Sequence, residues 1–173
     1  SSFKKFHNIL YTRYTMSNTE TSIMKEFMEK IDIFDMGSYF EVKGNTIRNT
    51  MTGSMIFFDG IKTSSGNQTA KLKGFKDLTM AIVDEAEEWQ SEEEFDKLLG
   101  SIRNPRMEDK YFKFIIVMNP STPEHFIYQK YIKRHRKIIT IEGFDVEIST
   151  KENVLHIHTT YHKYEKYLPK PVV

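Results

Sequence analysis

The sequence predicts an α/β domain with a mainly parallel sheet flanked by helices, and two observations support this. Apolar runs of strand length alternate with segments of helical period through most of the chain. The two most apolar runs, at residues 78–83 and 111–118, each stop at a polar loop that leads into a helix start. In such sheets, ligands bind beyond the carboxyl ends of the strands.

The elements follow in order. Residues 7–13 read as a strand, after which Ser17-Asn-Thr-Glu20 offers a capping box for a helix with Ile23, Met24, Phe27, Met28 and Ile31 on one face. From Ser38 the period shortens to that of strands: 39–43, a Gly44-Asn45 turn, 46–49, and 55–58 closed by Asp59-Gly60. This is a small antiparallel excursion, and residues 61–76 follow as a polar connection. A buried strand is predicted at 78–83. Ser91-Glu-Glu-Glu94 then caps a helix that buries Phe95, Leu98, Leu99 and Ile102. After the strand at 111–118, Thr122 and Pro123 suit the N-cap and first turn of a helix reaching Arg134. Residues 138–141 and 144–149 flank Glu142-Gly143 as a hairpin, and 154–159 reads as a last strand.

At 173 residues the chain is expected to form one domain that buries most of its unfolded surface. It has no cysteine, which excludes a disulfide framework, a thiolate metal site and a catalytic thiol. No apolar run approaches the roughly 20 residues of a membrane span, and the N-terminus is no secretory signal, so no membrane partner is expected. Lys and Arg number 25 against 24 Asp and Glu, giving a net charge of +1 that argues against bulk attraction to nucleic acid. The charge is nevertheless segregated: between Asp84 and Asp96 it is all acidic, and from Lys130 to Lys137 all basic.

The central strand stops at two adjacent carboxylates, Asp84 and Glu85, an apolar-strand-then-acids arrangement known as the Walker B pattern. Phosphoryl transfer needs Mg2+ held beside the phosphates and a water oriented for attack, and both tasks suit carboxylates on a rigid strand end. Asp84 is the metal-side acid in this reading and Glu85 the base. The other acids of the run are assigned to the helix start and its solvated face. Asn119, at the end of the next strand, can hydrogen-bond the water or a phosphate oxygen through its amide. Arg13 and Arg103 are candidates for stabilising transition-state charge. Lys130, Lys133, Arg134 and Arg136, interleaved with Tyr128 and Tyr131, suit a phosphate backbone. His156 and His158 share a predicted strand face with His162 nearby, a spacing open to zinc, though no cysteine supports such a site.

The order and spacing of these segments resemble the ATPase domain of the large subunit of tailed-phage terminases, the DNA-packaging motor. The residues concerned are the strand-Arg-loop-helix at 9–27, Gly53-Ser-Met-Ile-Phe-Phe-Asp-Gly60, Ala81-Ile-Val-Asp-Glu-Ala-Glu-Glu-Trp89, Ile115-Ile-Val-Met-Asn-Pro120, and Ile157-His-Thr-Thr-Tyr161 with Leu168-Pro169. The resemblance implies a P-loop NTPase (RecA-like) core that couples ATP hydrolysis to translocation of double-stranded DNA into a procapsid. It further implies Mg2+ with ATP as substrate, Asp84 at the metal, Glu85 as catalytic carboxylate, and a coupling loop from Asn119 through Ser121 and Thr122 that senses phosphate. The partners it implies are DNA, the portal protein and the terminase small subunit, in a possible homo-oligomeric ring in the host cytoplasm.

The chain departs from that family in one respect: no Gly-x-x-x-x-Gly-Lys-Ser/Thr phosphate loop occurs in it. In the family this loop lies upstream of the position matching Ser1, and a nuclease domain follows. The chain is therefore expected to be a fragment of a single ATPase-type domain, inactive alone. The strands at 112–118 and 154–159 are expected to pair directly or through another segment or copy, since open inner edges must be paired or covered. The alternatives are a helicase-like nucleic-acid-stimulated ATPase, because Asp84-Glu-Ala-Glu87 also resembles a helicase acidic box, and a non-catalytic assembly domain retaining the fold.

Overall fold

The computed structural model describes residues 2–3, 5, 7–14, 20–60, 75, 77–101, 112–119, 122–141 and 143–157. The chain divides into two compact units, residues 1–121 and 122–173.

The first unit is organised on a six-stranded sheet. Its strands are β1 (Asn8–Arg13), β2 (Phe40–Lys43), β3 (Thr46–Asn49), β4 (Met55–Gly60), β5 (Leu78–Val83) and β6 (Lys113–Ile116), in the spatial order β2-β3-β4-β1-β5-β6. The four strands β4, β1, β5 and β6 run parallel, and the β2-β3 hairpin adds an antiparallel edge. The expected mainly parallel sheet with an antiparallel excursion is therefore what forms. Gly44 at φ +58° makes the hairpin turn, a conformation that costs glycine little.

Helix α1 (Glu20–Ile33) covers one face of the sheet. Its predicted stripe is the core: Ile23 and Ile31 are buried with Ile9, Ile47, Ile56 and Phe58, and Met24, Phe27 and Met28 pack around them. The Phe27 ring meets Phe58 edge-on at 5.1 Å between centroids, a favoured geometry for aromatic pairs. The Ser17 capping box lies outside the described residues, as does most of the connection at 61–76.

Helix α2 (Glu92–Ser101) starts as its sequence indicates, with Ser91 Oγ accepting from the Glu94 N–H at 3.3 Å. Phe95 and Leu98 are fully buried together with Trp89, whose ring centroid lies 5.3 Å from that of Phe95. Burying a large side chain stabilises by about 1.5–3 kcal/mol, so Trp89 anchors the chain five residues after Asp84, within the acidic segment.

The second unit contains α3 (Phe126–Tyr131) and an antiparallel hairpin of β7 (Arg136–Ile141) and β8 (Phe144–Ser149), turning at Gly143 with φ +83°. Two expectations are corrected here. The helix expected from Thr122 to Arg134 is shorter at both ends. The Thr122 carbonyl closes a turn by accepting from the His125 N–H, and His125, in extended backbone, becomes the cap by accepting from Ile127 N–H. Ile132, at φ −119°, ends the helix before a 3-10 turn at Lys133–His135.

The strand expected at 154–159 does not form over 154–157, where Leu155 and Ile157 are exposed. Residues 158–159 lie outside the described set. Alternating Val, His, Ile, His reads as a strand, but a strand forms only against a partner ladder. Within the first unit, β6 pairs with β5 among the described residues. No described helix is long and apolar enough to cross a membrane.

Candidate functional site

Neighbouring strands bring the site together by register. β1 and β5 pair in parallel with Tyr11 opposite Ile82 and Thr12 opposite Val83. The next pair in that series is Arg13 and Asp84, and the Asp84 N–H continues the ladder to the Thr12 carbonyl at 2.9 Å. Because side chains alternate along a strand, Tyr11, Arg13 and Asp84 share one face.

The contacts follow from that placement. Arg13 Nε and Nη2 donate to Asp84 Oδ2 at 2.9 and 2.6 Å, and the Tyr11 hydroxyl donates to the same oxygen at 2.8 Å. Arg13 Nη1 reaches Glu85 Oε1 at 3.2 Å. The guanidinium is thus shared between two carboxylates, with the Arg13 and Asp84 side chains only 17% and 15% exposed and Glu85 40% exposed. Charge-assisted bonds of this kind are roughly twice as strong as neutral ones.

The electrostatics are mutual. Burial works to raise the Asp84 pKa, but the bonds from Arg13 and Tyr11 outweigh it and hold the carboxyl below the usual aspartate range. Burial first, then the accepting Asp84 carboxylate, pushes the Tyr11 phenol well above the ordinary tyrosine value. Both groups stay in the form the cluster requires across neutral pH: an anionic aspartate and a neutral phenol.

Glu85 has an unusual backbone. It sits at φ +50°, ψ +47°, a left-handed conformation that a non-glycine residue adopts at a cost on the order of 1 kcal/mol. Its neighbours hold it there: Ala86 N–H donates to the Val117 carbonyl at 3.0 Å, and Val117 N–H donates back to the Val83 carbonyl at 2.8 Å. A one-turn 3-10 helix, Ala86–Glu88, then runs into the buried Trp89. Strain at the second residue after β5, braced on both sides, is of the kind that clusters at functional positions.

Asn119, beyond β6, donates its backbone N–H to Glu87 Oε2 at 3.2 Å and its side-chain Nδ2 to Glu87 Oε1 at 2.8 Å. The structure thus brings Arg13, Asp84 and Glu85 together and ties Asn119 to the turn that follows them. Thr122, Lys130, Lys133, Arg134 and Arg136 belong to the second unit; Arg103 and Ser121 lie outside the described residues. In that second unit, Lys133 and Arg134 are exposed, Lys130 Nζ lies 5.9 Å from the Tyr131 ring centroid, and Arg136 Nε is paired with Glu147 at 2.6 Å.

Sequence reasoning misses Tyr11 and Glu87. A signal for Tyr11 exists, since it stands two residues before Arg13 and therefore on the same strand face. Glu87 is absorbed into the acidic helix start, although Trp89 and Ser91 separate it from that helix.

Hard carboxylate oxygens fit Mg2+, which is often held through one or two carboxylates with water and substrate phosphates completing its shell. Asp84 and Glu85 supply such a set. Among the described residues no group of three or more His, Cys, Asp or Glu could form a protein-only cage. The zinc alternative rests on His156, which is described, and on His158 and His162, which are not.

A family model described as phage terminase large subunit matches residues 1–173. Among solved structures, the large terminase from a thermophilic bacteriophage matches with a TM-score of 0.55 at 15% identity, covering 74% of this chain and 30% of that one. The same terminase in complex with ADP gives a TM-score of 0.52 at 13% identity, over 74% and 29% of the two chains. At such identities the likeness concerns the fold. The chain spans less than a third of the length of those terminases. A search of curated protein sequences returns no match.

Proposed function

The chain belongs to the phage terminase large subunit family, and on that premise we propose that its cluster of Tyr11, Arg13, Asp84 and Glu85 is the metal-and-water side of an ATPase site that drives DNA packaging. The observation that supports this best is the convergence, at the carboxyl ends of adjacent parallel strands, of two carboxylates on one guanidinium. Mg2+ bound there would supply charge neutralisation for the phosphates.

The chain's own residues divide the remaining work. Glu85, the most exposed of the three charged groups, accepts hydrogen bonds from the attacking water and takes its proton. Asp84, kept anionic by Arg13 and Tyr11, is the carboxylate that would hold Mg2+. Arg13 holds the two carboxylates in register, with all its terminal nitrogens committed to that task in this structure. Asn119 positions the water from the β6 side. The phosphate-sensing role of Ser121 and Thr122 and the finger role of Arg103 stay part of the proposal as the resemblance implies them.

The test is the Mg2+ dependence of ATP hydrolysis by the full gene product. Asp84→Asn is expected to move the Mg2+ midpoint upward by roughly tenfold or more, since the amide loses the charge that attracts the metal's hydration shell. An unchanged midpoint would remove Asp84 from the metal side.

Double-stranded DNA is the proposed polymer, and the exposed Lys133 and Arg134 are the proposed phosphate contacts. Replacing both with Ala is expected to reduce the slope of log affinity against log salt by about 0.9 for each phosphate no longer neutralised. Arg136→Ala is expected to change the slope less, because its guanidinium is already neutralised by Glu147. Measured slopes in the opposite order would reassign the DNA-binding surface to the hairpin. The portal protein, the small subunit and further copies of the chain in a ring are the proposed protein partners.

A further inference from the structure

We propose that Glu87 is a positioning residue that fixes which way round the Asn119 amide faces, so that this side chain offers the site a hydrogen-bond acceptor. The inference rests on the ATPase reading and adds a residue to it.

The geometry is a two-point grip. Both oxygens of one carboxylate are taken by two donors of one residue, the backbone N–H and the side-chain Nδ2 of Asn119, at 3.2 and 2.8 Å. Glu87 is itself held in place. Its one-turn helix hangs from Val117 through the Ala86 N–H at one end and ends at the fully buried Trp89 at the other. The loop after β5 therefore grips the loop after β6 at two successive points, Ala86 on Val117 and Glu87 on Asn119.

The chemistry decides the orientation. The two ends of an asparagine amide have nearly the same shape, so packing alone cannot choose between them, but hydrogen bonding can. An ionised carboxylate only accepts, so the amide nitrogen must be the end that faces Glu87. The planar group then carries Oδ1 away from that carboxylate. An oxygen in that position accepts a hydrogen from water, whereas a nitrogen would hold a phosphate oxygen. Glu87 thus narrows the two roles open to Asn119 down to the water-holding one. Because the pair is solvent-exposed, its contribution to stability is small and its effect falls on orientation.

The experiment uses the full gene product with four variants: Glu87→Ala, Asn119→Asp, the double variant Glu87→Gln with Asn119→Asp, and Glu85→Gln as the hydrolysis control. Glu87→Ala is expected to lower kcat by roughly ten- to a hundredfold, the scale of a small misplacement at a reacting centre, with KM for ATP and the melting temperature near wild type. Asn119→Asp sets two carboxylates against each other and is expected to reduce kcat at least as much. The double variant restores both bonds with the roles exchanged. Its introduced glutamine accepts the backbone N–H and donates to the introduced aspartate, whose other oxygen remains an acceptor. It is therefore expected to recover most of the turnover that Asn119→Asp alone forfeits.

Wild-type kcat in Glu87→Ala would overturn the assignment, and so would a lowered kcat accompanied by an equal rise in KM and a drop in melting temperature. A double variant no better than Asn119→Asp would overturn it too, by showing that the site needs the amide's donor. Absence of any hydrolysis sensitive to Glu85→Gln in the wild type would instead bring down the ATPase reading, and this assignment with it.

Discussion

Glu85→Gln in the full gene product is expected to lower ATP turnover by about 10²-fold or more while leaving nucleotide affinity within a few-fold of wild type. The glutamine keeps the size of the side chain and can still accept a bond from Arg13 Nη1 through its oxygen, but it cannot take a proton from water. The backbone at this position supports the same division. The left-handed conformation is maintained by main-chain bonds from Ala86 to Val117 and from Val117 to Val83, none of which involves the carboxylate. The variant therefore folds as the wild type does, and its loss falls on kcat. Turnover within a few-fold of wild type would take the base role away from Glu85.

Arg13→Ala is expected to have the largest effect on stability. It leaves Asp84 largely enclosed, with Tyr11 as its remaining side-chain donor, and removes the ion pair to Glu85. Losing a charged, mostly buried hydrogen-bond partner costs about 2–3 kcal/mol. The pH dependence follows from the sign of the shift. A carboxyl whose folded pKa is depressed contributes stability that is present above its unfolded pKa and is lost as pH falls through the lower folded value. Wild type should therefore hold this contribution in full above the ordinary aspartate value and lose it progressively from there down to the lower folded value. In Arg13→Ala only the Tyr11 hydroxyl and the Glu85 backbone N–H are left to oppose burial, so the Asp84 carboxyl is depressed less and the stability gap between the two proteins should be widest near neutral pH and narrow as pH falls. Denaturant midpoints followed from about pH 3 to about pH 7 check this, and coincident curves for the two proteins would contradict it. Arg13→Lys should fall between them, because a lysine keeps the charge and loses the fork that engages Asp84 and Glu85 at once.

Much of the fold was legible because its signals are local. The apolar run ending at Asp84, the Ser91 cap, the α1 stripe and the two hairpin turns each follow from residues within a few positions of one another. The site was legible only as separate parts. Asp84 and Glu85 announce themselves by ending a buried strand, and Arg13 by ending another. That Arg13 meets Asp84 depends on β1 and β5 being neighbours in a particular register, across 71 residues, which no local pattern specifies. Tyr11 and Glu87 were hidden for the same reason, since a tyrosine in a strand and a glutamate near a helix start are ordinary until their partners are in view.

At the start of α3 the local pattern misled because a competing interaction won. His125 caps α3 in place of Thr122 because its ring nitrogen reaches the Ile127 N–H. Residues 154–157 have strand-like alternation but join neither sheet among the described residues.

The nucleotide recovered from the protein after a single-turnover incubation with labelled ATP and Mg2+ tests the central claim, that Asp84 and Glu85 are the metal and water sides of one site. Wild type is expected to yield ADP, Glu85→Gln to retain ATP, and Asp84→Asn to retain little of either, because the triphosphate is held through the metal and cleaved through the base. ADP recovered from Glu85→Gln in wild-type yield, or ATP retained equally by both variants, would contradict it.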